Sequence, residues 1–83
     1  MDKVLVELFV PVLEQTFDIF VPLQSPMYEV VELMKKAVVD MSDGRFVANE
    51  TTSLCYREEG TIININLSVF ELGIRNGSKL MLI

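Results

Sequence analysis

The sequence predicts a two-layer α+β domain, and three observations carry that prediction. Two runs rich in β-branched and aromatic residues come first, one amphipathic helical stretch follows, and shorter apolar runs close the chain. A helix with one apolar face needs one apolar sheet face to cover it. At 83 residues and 51% apolar composition, residues 1–83 make one domain, near the lower end of what folds on a single core.

Lys3 to Val10 (KVLVELFV) reads as the first strand, with Val4, Val6, Leu8 and Val10 on one face and Leu5, Glu7 and Phe9 on the other. Pro11 cannot donate to a ladder, so Pro11 to Gln15 reads as a hairpin loop. Thr16 to Val21 returns antiparallel, with Phe17, Ile19 and Val21 toward the core and Thr16, Asp18 and Phe20 away from it; Pro22 ends the strand. Ser25-Pro26 predicts a helix start, the hydroxyl as N-cap and the proline at the first helical position. At about 100° per residue, Met27, Val30, Val31, Met34, Ala37, Val38 and Met41 fall on one stripe. That stripe is read as core packing, including the three methionines at seven-residue spacing. Glu32 and Lys36 stand at the i,i+4 spacing of a surface ion pair. Ser42-Asp43-Gly44 predicts the stop, with Gly44 in the left-handed position.

Arg45 to Thr52 is a polar connection, with Phe46 and Val47 expected beneath it. Ser53 to Arg57 reads as a third strand, in which Leu54 and Tyr56 alternate with Ser53, Cys55 and Arg57. Glu58-Glu59-Gly60 turns the chain, and Thr61 to Ile65 reads as a short fourth strand. Ser68 is then expected to cap a single turn of helix, and Asn76-Gly77 to form a tight turn, because both residues tolerate positive φ. Lys79 to Ile83 is the last strand, its Leu80 and Leu82 alternating with Lys79, Met81 and Ile83. Its apolar content fits a central place beside the first strand.

Composition excludes several classes of function. A mean hydropathy of +0.40 is incompatible with a disordered tail. Twelve acids against seven bases give a net charge of −5, and only Lys35-Lys36 stand together, so no nucleic-acid partner is expected. One cysteine and no histidine leave no Cys/His zinc site within the chain, and no cofactor or metal is expected. No signal peptide or apolar run of about 18 residues is visible, which makes the cytoplasm the expected compartment and membrane insertion unexpected.

The order β-β-α-β-β-(short helix)-β resembles the β-grasp fold of ubiquitin-like proteins, one helix on a mixed sheet, over nearly the whole chain. The closest local likeness lies in Ser68-Val69-x-x-Leu72-Gly73-Ile74 followed by Asn76-Gly77-Ser78-Lys79-Leu80-Met81-Leu82. Val21-Pro22 and Ser25-Pro26 fit the same template. In length, acidity and ending the chain is similar to the small bacterial YukD-like proteins, cytoplasmic accessories of type VII (WXG-type) secretion systems. The sequence ends Leu80-Met81-Leu82-Ile83 where ubiquitin and the sulfur carriers end in Gly-Gly, so conjugation or sulfur carriage is not expected. The resemblance implies a non-catalytic protein-interaction domain. The alternative is a small structural subunit of another bacterial assembly, such as a multicomponent oxygenase.

No catalytic residues are expected. Without histidine, the one nucleophile of note is Cys55, with Arg57 two residues on and on the same strand face, where it could lower the thiol's pKa a little. Cys55 is more simply a small packing residue. The sheet face turned away from the helix is more informative. With strand order second, first, fifth, third, that face carries Phe20, Leu5, Phe9, Met81, Ile83 and Cys55. A solvated face would alternate to polar residues, so a contiguous apolar patch of this kind marks an interaction site. The resemblance assigns the docking role of that face to Cys55, Met81 and Ile83, for a secretion-system component or a second copy of the chain. Two simpler readings stand beside it: scattered surface hydrophobes that need no partner, and a one-residue slip that would turn a strand's members into the core.

Overall fold

The structure, a computed structural model, describes residues 2–83. Its elements are β1 (Lys3–Val10), a 3-10 turn in the hairpin connection (Pro11–Leu13), β2 (Gln15–Pro22), α1 (Met27–Met41), β3 (Leu54–Tyr56) and β4 (Lys79–Leu82). They form a mixed four-stranded sheet in the order β2-β1-β4-β3. β1 runs antiparallel to β2 and parallel to β4, and β3 runs antiparallel to β4. The last strand therefore lies beside the first, at the centre, as its apolar content predicts.

Period-two alternation sorts the strands cleanly. Val6, Leu8 and Val10 of β1, Val21 of β2, Leu54 of β3, and Leu80 and Leu82 of β4 are buried under α1. The helix contributes Met27, Val30, Val31, Met34 and Val38 to the same core. Met41 departs from the expected stripe and is 46% exposed, because it occupies the last helical position beyond the sheet's cover. Phe46 is buried beneath the following connection, whereas Val47 is exposed. The helix's surface ion pair joins Glu32 to Lys35 at 3.0 Å, an i,i+3 pair in place of the expected pairing with Lys36.

The start of the helix departs from the expected cap, and its end keeps the expected stop. Ser25 makes no side-chain cap, and Pro26 precedes the first helical residue, Met27, in extended conformation. The first free amides are instead taken by backbone: Met27 N–H donates to the Leu67 carbonyl at 2.8 Å and Tyr28 N–H to that of Ile65 at 3.1 Å. A neighbouring segment that supplies carbonyls leaves the hydroxyl nothing to satisfy. At the other end, Gly44 N–H donates to the Val39 carbonyl and Asp43 N–H to that of Asp40, which closes a Schellman turn. Gly44 is left-handed as expected, at φ 79°, and Asp43 before it is left-handed as well, at φ 53°.

The expected fourth strand is reduced to one bridge, between Cys55 and Ile62. The expected helical turn at Ser68 is a run of turns, yet its capping pair is present. Glu71 N–H donates to Ser68 Oγ at 3.0 Å and Ser68 N–H to the Glu71 carboxylate at 2.9 Å. In the turn before β4 only Gly77 adopts positive φ, at 87°. Asn76 serves otherwise: its Oδ1 accepts the Leu5 N–H at 2.7 Å, while Gly77 N–H donates to the Leu5 carbonyl at 2.8 Å. That pair ties the start of β1 to the turn where β4 has not yet begun.

Candidate protein-interaction face

The strand registers arrange the face opposite the helix into rows. One row crosses the sheet as Thr16, Phe9, Met81 and Cys55, and the isolated bridge extends it to Ile62. The next runs Asp18, Glu7, Lys79 and Arg57; Arg57 takes its place through its N–H, which donates to the Lys79 carbonyl at 3.1 Å. A third row holds Phe20 and Leu5. Ile83 lies beyond Met81, paired with Ser53 through two backbone hydrogen bonds of 2.7 and 2.9 Å.

This geometry divides the six apolar residues read from the sequence. Phe9, Met81 and Ile83 lie on one side of the charged row, and Leu5 and Phe20 on the other. Phe20 is 66% and Ile83 53% exposed, whereas Leu5, Phe9 and Met81 are half-buried. Cys55 is fully buried and supplies no contact surface. Its Sγ–H donates to the Met81 carbonyl at 3.6 Å, and burial pushes its thiol pKa up. Arg57 does not lower that pKa. Its guanidinium lies over the Phe9 ring, 4.4 Å from the centroid, and shields part of the ring from water.

Ile62 is the residue the sequence reading missed. The sequence reading takes Thr61 to Ile65 as a short fourth strand and assigns Ile62 to neither face. With a single bridge in place, Ile63 turns into the core and Ile62 is left 66% exposed beside Cys55. The alternation of Ile62, Ile63 and Asn64 carried the inward–outward signal, but the weakness of the pairing did not show in it. Beyond Ile62 the apolar surface turns the sheet's edge into an open groove of about 490 Å3, lined by Tyr28, Val31, Ile63 and Ile65 among others. Among the described residues, no three His, Cys, Asp or Glu side chains are grouped so as to hold a metal ion. No helix among them is long and apolar enough to cross a membrane.

No protein-family model matches the chain, and no curated protein matches its sequence. Solved structures do match. The ubiquitin-like domain of the type VII secretion system protein ECCD1 from Mycobacterium tuberculosis aligns at TM-score 0.80 and 16% identity, over 100% of this chain and 99% of that one. A chain in the toluene 4-monooxygenase HD complex aligns at TM-score 0.77 and 13% identity, over 98% and 96%. A chain of the ESX-5 inner membrane complex aligns at TM-score 0.70 and 12% identity, over all of this chain and 21% of that one. At such identities the likeness is one of fold, and the fold is the ubiquitin-like β-grasp.

Proposed function

We infer that the protein is a non-catalytic, YukD-like adaptor that works in the cytoplasm by docking the outer face of its sheet onto a protein component of type VII (WXG-type) secretion machinery. The observation that carries this reading is the row of Phe9, Met81 and Ile62, with Ile83 beyond it, laid beside a charged row on a face the helix does not cover. A sheet face that served only solvent would alternate to polar residues there. The like-folded secretion domains support the choice of partner class. The toluene monooxygenase match supports a second reading, a structural subunit of an oxygenase assembly.

The two readings separate in the source cell. A photo-cross-linking residue at Ile83, on the face, is compared with one at Leu33, which is equally exposed at 53% but lies on the helix. The expected result is an adduct with a secretion component from position 83 and none from position 33. An adduct with an oxygenase subunit selects the second reading. No adduct from position 83 overturns both.

A further inference from the structure

The charged row between the two apolar groups is built against the sheet's own interest. Across β2, β1, β4 and β3 it reads acid, acid, base, base: Asp18, Glu7, Lys79, Arg57. Glu7 stands directly opposite Asp18, and like charges in that relation destabilise a strand pair. Alternating signs would have set every charge beside its opposite. Among the described residues the one ion pair within 4.0 Å is Glu32–Lys35, so none of the four is neutralised in such a pair.

A partner surface of one sign would match half of this row and oppose the other half. What fits is a row reading base, base, acid, acid. The chain presents that row itself after a half-turn about an axis lying along the strands, midway between β1 and β4. The operation sets Glu7 opposite the second copy's Lys79 and Asp18 opposite the second copy's Arg57, each twice. It also sets Phe9 opposite the second copy's Met81, and leaves the two sheets with strands aligned, a common class of sheet packing. Arg57, stacked on Phe9 in the single chain, needs only a change of side-chain rotamer to reach across.

The geometry points to a second copy of this chain as an occupant of the outer face, in an isologous dimer whose contact is this self-complementary row. The inference rests on the outer face being the docking surface, as proposed above. With strands about 4.8 Å apart, the face offers on the order of 400 Å2 per copy, about half of a standard interface. The net charge of −5 on each copy opposes approach at long range. The dimer is therefore weak, and forms at protein concentrations of roughly 0.1 mM and above.

Sedimentation equilibrium of the purified chain from about 0.01 to 1 mM, at about 0.15 M salt, tests it. The unaltered chain is expected to show a monomer–dimer equilibrium. Glu7→Lys alone, or Lys79→Glu alone, sets like charges opposite each other twice and is expected to weaken the dimer at least tenfold. An equimolar mixture of those two variants makes every opposition in the row acid on base again, and is expected to dimerise as a heteromer. Should either variant fail to fold, Asp18→Lys and Arg57→Glu, both at exposed positions, form the equivalent pair. A chain monomeric at 1 mM, a dimer indifferent to the substitutions, or a mixture that stays monomeric overturns the inference. Such results remove only the second copy as occupant; the cross-linking experiment in cells decides whether the face docks at all.

Discussion

Cys55 shows how one residue's chemistry is set by its row. It lies between Met81 on β4 and Ile62 across the isolated bridge, fully buried on a face that is otherwise open. Burial disfavours the thiolate and raises the thiol's pKa above its ordinary value of about 8.5. The consequence for stability has a definite sign. Below the ordinary value the thiol is neutral in both states and contributes no pH dependence. Above it the unfolded chain releases its proton first, so stability falls as pH rises toward the folded-state value. Urea unfolding from about pH 8 to 10 is expected to show a shallower decline for Cys55→Ala than for the unaltered chain. Parallel declines would mean that the thiol is solvated.

At the scale of elements, the helix ends show which local signals survive tertiary contact. Ser25-Pro26 marked the start of the helix to within a residue, yet the hydroxyl was displaced by carbonyls of Ile65 and Leu67, whose approach no local pattern encodes. Strand faces were legible throughout, because a period of two needs only near neighbours. The single bridge at Ile62 was not, because pairing strength depends on what lies across the sheet. The C-terminal turn of the helix is poorly matched to its residues. Asp43 holds a left-handed φ of 53°, which a non-glycine residue adopts at a cost, and its charge lies at the negative end of the helix dipole with no basic residue in the last turn. Asp43→Asn removes the charge and is expected to raise stability by about 0.5 kcal/mol. Asp43→Gly also relieves the backbone, for a gain of roughly 1 kcal/mol in urea unfolding. Loss of stability in both variants would show that the carboxylate has a stabilising partner at that turn.

For the whole molecule, the decisive property is that one sheet serves two surfaces. The side of the sheet on which each residue lies was readable from the sequence, and so was the central place of the last strand. The division of the apolar face by a charged row was not. It depends on registers that bring Glu7 beside Lys79, and Lys79 beside Arg57, across long stretches of chain. Adjacent residues of β4 separate the two surfaces most sharply. Leu80 is 1% exposed among core side chains, whereas Met81 is half-buried on the outer face above Cys55. A lysine at Leu80 must bury its ammonium or break the core, a penalty of several kcal/mol in a domain whose total stability is of that order. A lysine at Met81 can extend into solvent along the sheet and is expected to cost about 1 kcal/mol. Circular dichroism and urea unfolding are therefore expected to find Leu80→Lys unfolded and Met81→Lys folded, the latter with weakened association in sedimentation. If Met81→Lys unfolds the chain as Leu80→Lys does, Met81 belongs to a second core that seals this face, and the face is not a docking surface.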